Sequence, residues 1–164
     1  MSDAAFDRIV RTHGEALSRF AWGYVESAAD HDDLMQDVLI AIWQALPRFR
    51  GASSERTFVF RIAHNRGCSF VGRRREHDPL PTDARIADPH PSPDEALDAA
   101  RRREQLARAV RRLPDTQRQA VLLRLEGFSL SEIAALQATS EANVSVRLTR
   151  GRDRLRELLG GIDR

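Results

Sequence analysis

A proline-rich stretch near the middle of the chain constrains the fold more than any other feature of the sequence. Residues 79–93, PLPTDARIADPHPSP, hold five of the seven prolines among 164 residues and show no helical periodicity. Proline lacks a backbone N–H donor and disrupts helix interiors, so this stretch predicts an extended connector. We therefore expect two small domains, residues 1–78 and 97–164, joined by a flexible Pro-rich linker over residues 79–96.

Nearly all of the sequence outside the linker is predicted to be helical. Apolar residues recur at spacings of three and four, as in amphipathic helices, and no segment alternates convincingly as a strand. We therefore predict an all-α fold of two small helical domains. The residues expected on the apolar faces of the first three helices are Phe6, Ile9, Val10, His13, Leu17 and Phe20, then Leu34, Val38, Ile42, Trp43 and Leu46, then Phe58, Ile62 and Phe70.

Several classes of function are excluded by the sequence. No apolar run approaches the roughly 18 residues of a membrane span, and MSDAAFDRIV does not resemble a signal peptide, so we expect a cytoplasmic protein without membrane insertion. The single cysteine and the five histidines do not have metal-ligand spacing, so we expect no metal site and no cofactor. Because Asp32, His64 and Cys68 lack a nucleophile motif or phosphate loop, we expect no catalytic residue.

Charge is segregated along the chain, although the formal net charge is only +2. Residues 97–164 carry 14 arginines against nine acidic residues, whereas the linker carries one against four. In the first domain, aspartates cluster between Arg19 and Arg48, and eight arginines with one acidic residue follow from Arg48 to Arg75. Such an arrangement suits a basic protein partner on one side and nucleic acid on the other. Solvated helix faces explain the charge alone equally well.

The acidic helix carries a second signal on its outer face. The run DHDD at its start can cap the helix and oppose its dipole. However, Asp33, Gln36, Asp37 and Ile40 trace the outer face, and capping does not require Gln36 or Asp37. This face is therefore predicted to bind a protein.

The basic segment that follows suits single-stranded nucleic acid. LPRFRGASSERTFVFRIAHNRGCSFVGRRRE, residues 46–76, opens with a Gly/Ser loop and continues as a helix. Bases can stack on its aromatic rings while guanidinium groups follow the phosphates. The alternative, which we expect for most of these rings, is that Phe49, Phe58 and Phe60 belong to the core.

A helix-turn-helix is predicted in GFSLSEIAALQATSEANVSVRL. Ser129 and Glu132 form a capping box, residues 137–139 form the turn, and Ser140 caps the next helix. We expect this turn to need no glycine, provided that its backbone keeps φ negative. In such motifs the second helix enters the major groove of DNA.

The second helix of this motif has one face for the core and one for DNA. The residues expected to face the core are Val144, Leu148, Gly151, Leu155 and Leu158. The residues on the opposite face are Ala142, Ser145, Val146, Thr149, Arg150 and Asp153. Arg147 and Arg154 lie on the flank, where they reach phosphates, and exposed Val146 suits a thymine methyl group. A solvated helix is the alternative.

Both halves together resemble the RNA polymerase sigma factors of the extracytoplasmic function (ECF) type, reduced to sigma domains 2 and 4. DDLMQDVLIAIW is similar to the family's D-L-x-Q-[DE]-V-F-x-x-[LIV]-W helix, and TFVFRIAHN is similar to W-L-x-x-I-A-x-N. GRRRE corresponds to the basic end of domain 2. RRLPDTQRQAVLLRLEGFSLSEIA is similar to L-P-x-x-x-R-x-[AV]-[LV]-x-L-x-x-x-E-G-x-S-x-x-E-I-A.

The resemblance implies a protein that binds core polymerase, directs it to promoters through −35 and −10 elements and supports promoter melting. The implied partners are the β′ clamp coiled coil and the β flap of the polymerase, promoter DNA and an anti-sigma factor. The implied polymerase-binding residues are Asp32, Asp33, Gln36, Asp37 and Ile40. The implied −10 residues are Phe49, Arg50, Ser53, Arg56, Phe58, Arg61, Asn65, Arg73 and Arg74. The implied −35 residues are Ser140, Asn143, Ser145, Val146, Arg147, Thr149, Arg150 and Arg154.

The sequence departs from the family pattern at several positions. Phe58 and Val59 replace the tryptophan and leucine of W-L, and residues 142–147, ANVSVR, replace the common G-T-V-K-S-R. We therefore expect a −35 sequence that differs from the one read by the best-known members. The main rival interpretation is a helix-turn-helix regulator with an unrelated sensor domain, which binds duplex DNA without polymerase.

Overall fold

The computed structural model describes residues 2–77 and 95–160, so the predicted linker lies outside the described residues except for Glu95 and Ala96. The described residues form seven α-helices and one short 3-10 helix and contain no strand, which confirms the all-α prediction. The helices are α1 (Ser2–Ala21), α2 (Ala28–Ala45), the 3-10 helix (Leu46–Arg48), α3 (Glu55–His77), α4 (Glu95–Arg111), α5 (Asp115–Leu125), α6 (Leu130–Leu136) and α7 (Glu141–Gly160). Within these ranges no helix is both long and apolar enough to cross a bilayer.

Helices α1, α2 and α3 form the N-terminal half, residues 2–77. Their packing buries the apolar faces of α1 and α2 almost as predicted, and the side chains removed from solvent are Ile9, Leu17, Phe20, Leu34, Val38 and Ile42. Ser27 begins α2, because its hydroxyl accepts the backbone N–H of Asp30 at 3.1 Å. The prediction for Trp43 was wrong: its side chain is 49% exposed and lies in the wall of an open groove rather than in the core.

The core face of α3 differs from the predicted one. Val59, Phe60 and Ala63 are buried, whereas Phe58 and Ile62 are only partly buried. Apolar residues surround this helix rather than forming one stripe, so periodicity alone does not select a face. The choice is made by tertiary packing, because α3 is covered by α1 and α2 and also contacts α6.

Helices α4 to α7 form the C-terminal half, residues 95–160, and its last two helices form the predicted helix-turn-helix. Ser129 and Glu132 make both hydrogen bonds of the capping box, which lower the pKa of the Glu132 carboxyl. In α7, Val144 and Gly151 are buried and the three leucines of the predicted stripe are partly buried, so the predicted core face is confirmed.

The turn between α6 and α7 contains a strained residue. The structure gives Ala138 a φ of +49°, so the condition under which this turn would need no glycine is not met. A β-carbon in this left-handed region approaches the following carbonyl oxygen, which costs roughly 1 kcal/mol. The strain persists because the four residues between α6 and α7 have to redirect the chain.

Replacing Ala138 by glycine is expected to raise the free energy of unfolding by about 0.5–1 kcal/mol, since glycine adopts positive φ without the steric cost. Chemical denaturation measures the change. Ala135→Gly is the matched control, because Ala135 lies within α6, where glycine costs about 1 kcal/mol. Loss of stability in both variants would contradict a strained Ala138.

The two halves pack against each other, which the sequence did not predict. Phe128, at the turn between α5 and α6, is fully buried and meets the ring of Phe60 with a centroid distance of 5.1 Å. Gly23 permits a second close approach, because a β-carbon there would lie 2.4 Å from Cδ1 of Leu122. A salt bridge of 3.2 Å between Arg19 and Glu126 lies near these contacts. The described helices therefore share one continuous core.

Candidate nucleic-acid and protein interfaces

Four of the five predicted polymerase-binding residues lie along an open groove beside α2. The groove has a volume of about 640 Å³, and its walls are formed by Phe6, Asp32, Asp33, Met35, Gln36, Leu39, Ile40 and Trp43. Ile40 is 47% exposed and Trp43 is 49% exposed, so apolar surface lies directly beside two carboxylates. Such a surface can bury large side chains of a partner while the acids pair with basic groups at the rim.

The fifth predicted residue, Asp37, does not line this groove. Its carboxylate accepts a hydrogen bond of 3.1 Å from Arg73 on α3, and Asp30 forms a similar ion pair with Arg74. The acidic helix and the basic end of α3 therefore meet, although their charges are separate in the sequence. Asp37 and Arg73 are 42% and 59% exposed, so their ion pair contributes little to stability.

Part of the predicted −10 set forms one aromatic and polar surface. The rings of Phe49 and Phe58 pack together with a centroid distance of 4.4 Å. Arg61 and Asn65 are exposed on α3, three and seven residues after Phe58, so all three share one side of the helix. Arg50 is exposed and Ser53 partly buried in the loop that precedes α3.

Arg56 is separated from this surface. Its guanidinium group lies 4.0 Å from the centroid of the Phe128 ring and donates a hydrogen bond to the backbone carbonyl of Glu126. Both partners belong to the C-terminal half. In this arrangement Arg56 fastens the two halves together rather than facing nucleic acid.

Some of the predicted −35 residues make hydrogen bonds at the start of α7, and others are exposed on its outer face. Ser140 accepts the backbone N–H of Asn143 at 3.2 Å, as a helix cap does, and Asn143 donates to Thr139 at 3.1 Å. The exposed residues that follow on the outer face of α7 are Ser145, Val146, Thr149 and Arg150. These four side chains are therefore available to base edges.

The two flanking arginines of α7 have partners within the chain. Nη1 of Arg147 donates to Oε1 of Gln137 at 2.9 Å, and Nη1 of Arg154 donates to Glu157 at 2.7 Å. Sequence reasoning missed Gln137, because the pattern marked it only as part of a turn. The signal in the sequence was its place in the turn directly before the second helix of the motif.

A cluster of polar side chains lies between α3 and α5, and it was also missed. The Tyr24 hydroxyl is 3.0 Å from Nδ1 of His64, whose ring nitrogens are 3.6 Å from the Cys68 sulfur. The Arg118 guanidinium lies 5.2 Å from the centroid of the Tyr24 ring. Burial lowers the pKa of His64 to about 4, with a further contribution from Arg118, and burial raises the pKa values of Tyr24 and Cys68.

His64 is expected to make stability depend on pH between about 4 and 6.5. In this window the unfolded chain binds a proton at His64 and the folded chain does not, so stability falls as pH is lowered. The contribution is fully present above pH 6.5, and its loss reaches about 3 kcal/mol near pH 4. Comparing Tm across this range with that of His64→Asn, which cannot titrate, isolates the effect. Equal pH slopes in the two proteins would contradict it.

Metal coordination finds no support in the part of the chain that the structure describes. Within residues 2–77 and 95–160, no three histidine, cysteine, aspartate or glutamate side chains are grouped so as to hold an ion. The polar cluster around His64 is therefore a set of hydrogen-bonded and electrostatic contacts between packed helices.

Family comparisons match each half of the chain separately. A family model described as Sigma-70 region 2 matches residues 9–76, and one described as Sigma-70, region 4 matches residues 103–155. The first match contains all residues of the groove wall except Phe6 and nearly all of α3, and the second contains α6 and most of α7. Both candidate surfaces thus lie largely within matched segments.

Relatives and solved structures extend the similarity over nearly the whole chain. The chain is 30% identical to the RNA polymerase sigma factor NccH of Alcaligenes xylosoxydans xylosoxydans, covering 94% of this chain and 87% of NccH. It is 29% identical to the ECF RNA polymerase sigma factor SigM of Mycobacterium tuberculosis, covering 95% and 78%. The sigma factor RpoE from Bartonella quintana, solved in complex with the anti-sigma factor NepR, matches with a TM-score of 0.75 and 27% identity, covering 98% and 99%.

Proposed function

The chain belongs to the ECF subfamily of RNA polymerase sigma factors, which act in transcription initiation. We propose that it directs core polymerase to promoters with −35 and −10 elements. The observation that carries the proposal is the presence, in one chain, of an acidic and apolar groove and an exposed recognition helix. Residues 1–78 are assigned to domain 2, residues 79–96 to the linker and residues 97–164 to domain 4.

Core polymerase is proposed to dock at the groove beside α2. The β′ clamp coiled coil inserts apolar side chains beside Ile40 and Trp43, while its basic groups pair with Asp32 and Asp33. Gln36, also in the groove wall, adds hydrogen bonds. The β flap is proposed to contact domain 4.

Helix α7 is proposed to read the −35 element in the major groove. Ser145, Val146, Thr149 and Arg150 are exposed on its outer face, where hydroxyl, methyl and guanidinium groups can contact base edges. Arg147 and Arg154 are assigned to phosphates on the flank. Specificity then comes mainly from the side chains between the flanking arginines.

The −10 element is proposed to bind as an opened strand on α3. The packed rings of Phe49 and Phe58 offer a stacking platform, and Arg61 and Asn65 follow on the same side of the helix. An unpaired base is easier to extrude than a paired one, so this surface suits DNA that is already melting. Arg73 and Arg74 are assigned to DNA phosphates. For each arginine, the phosphate competes with the aspartate that it pairs with in the structure, Asp37 for Arg73 and Asp30 for Arg74.

The two halves are proposed to separate before both elements bind. The elements lie roughly 25 base pairs apart, which is about 85 Å of B-DNA at 3.4 Å per base pair. A compact chain of 164 residues spans only about 40 Å. Separation also frees Arg56 from Phe128 and Glu126, so that it joins the −10 surface.

An anti-sigma factor is proposed as a regulatory partner, because RpoE from Bartonella quintana was solved with one. The site of action is assigned to the cytoplasm, where core polymerase works.

Selection from a randomised DNA pool tests the proposed function. Duplexes retained by the chain together with a bacterial core polymerase are expected to share two sequence blocks, and Thr149→Ala with Arg150→Ala should alter only the upstream block. Retention of the same sequences by the chain without polymerase would favour the rival regulator. Failure to enrich any sequence with polymerase would contradict promoter recognition.

A further inference from the structure

The side chain of Gln137 makes three hydrogen bonds that join three parts of domain 4. Its side-chain Nε2 donates to the backbone carbonyl of Thr116 at 2.9 Å and to Oε1 of Gln119 at 2.8 Å, both on α5. Its Oε1 accepts the hydrogen bond from Nη1 of Arg147 on α7 at 2.9 Å. A single side chain in the turn therefore links α5 to the flank of the recognition helix.

The orientation of this amide is fixed by its neighbours. Two acceptors face one end of the Gln137 side chain, so that end must be the NH₂ group, and the guanidinium donor at the other end requires the oxygen. Gln119 is only 5% exposed, and its buried oxygen needs a donor. The α5 contacts thus hold the amide in the orientation that presents an acceptor to Arg147.

The link constrains a side chain that otherwise has many rotamers. Arg147 is only partly buried, and its hydrogen bond to Gln137 occupies one of five guanidinium N–H donors. Holding the guanidinium group in one place before binding removes part of the entropy that ordering costs on the DNA. This side chain lies on the flank of α7, where phosphates pass.

We propose that Gln137 is a positioning residue that presents Arg147 to a phosphate of the −35 element, an inference that presupposes the proposed function. Gln137 itself does not contact DNA in this account. Its role is to hold one arginine of the recognition helix in place from the turn of the helix-turn-helix.

A double-mutant cycle on DNA affinity tests this role. The full chain, assembled with core polymerase, is titrated onto a duplex obtained by the selection described above. Gln137→Ala is expected to weaken binding roughly five- to tenfold in the native background and to have no effect once Arg147→Ala is present. A purely structural role of Gln137 would give equal losses in both backgrounds, and that result would overturn the inference.

Arg156→Ala provides the matched control. It removes a hydrogen bond of similar length, 3.0 Å to Asp153, on the same helix, and Arg156 is outside the implied −35 set. Its effect on affinity should be the same with and without Arg147→Ala. Coupling of equal size for Arg156 would show a general loosening of α7 and would overturn the specific role of Gln137.

Two further measurements keep the outcomes distinct. Gln137→Met retains the length of the side chain without its hydrogen bonds. If Gln137→Ala lowers the Tm of the protein, the double-mutant cycle is measured again with Gln137→Met in its place. It is expected to show the same coupling to Arg147. If the native chain with core polymerase selects a two-block sequence but the effects of the Gln137 and Arg147 substitutions on affinity are additive, only the role of Gln137 is overturned. If no sequence is selected, the proposed function fails, and the role of Gln137 fails with it.

Discussion

Replacing Phe128 by alanine is expected to lower the free energy of unfolding by about 3–5 kcal/mol. The ring is fully buried, packs against Phe60 from the other half and lies under the Arg56 guanidinium. Its removal leaves a cavity between the halves and deprives Arg56 of a cation–π contact. Chemical denaturation followed by circular dichroism measures the loss.

Phe70→Ala is the matched control for this change. Phe70 lies on α3 and is only partly buried against the core, so its truncation should cost less. Because Phe128 joins the halves, its truncation is also expected to divide one unfolding transition into two. Equal losses for the two variants, each with a single transition, would contradict a central role of Phe128 in joining the halves.

The combined change Asp33→Arg with Gln36→Ala is expected to weaken binding to core polymerase about 30-fold or more. Both residues line the groove beside α2, where one carboxylate becomes a cation facing the basic groups proposed for the clamp. Charge reversal at an interface of complementary potential typically costs several kcal/mol. Fluorescence anisotropy of the labelled chain titrated with core polymerase measures the affinity.

Asp3→Arg is the control for this variant. It makes the same change of charge as Asp33→Arg, at an exposed position of α1 that does not line the groove. It should leave the affinity for core polymerase within about twofold, apart from a small change in salt dependence. Equal weakening by both variants would indicate a non-specific effect of net charge, and an unchanged affinity of the groove variant would place the docking site elsewhere.

The helix-turn-helix was predictable because local rules and tertiary packing agree there. The capping box at Ser129 and the buried stripe of α7 follow from residue types and helical spacing, and the structure has both. The backbone of Ala138 was not predictable in the same way. Its positive φ is imposed by the path between α6 and α7, against the preference of the residue itself.

Contacts between segments that are distant in the sequence could not be predicted from the spacing of residue types. A pattern of spacings can show that α3 has apolar residues, but the arrival of Phe128 from the other half helps to decide that Phe60 is buried. The same applies to the ion pair between Arg73 and Asp37, whose charges were predicted to serve separate surfaces. The sequence therefore predicted the helices and the side chains that could serve each surface. Tertiary packing decided which of those side chains are exposed and which have a partner within the chain.

Run-off transcription with purified core polymerase measures whether the chain starts transcription at a defined promoter. The template carries the two sequence blocks selected by the chain and core polymerase, upstream of a defined end. A transcript of the expected length should appear with the chain and core polymerase together, disappear when either is omitted, and decline strongly with Asp33→Arg/Gln36→Ala. Failure of the native chain to bind core polymerase, together with tight duplex binding on its own, would contradict a sigma factor and favour a DNA-binding regulator.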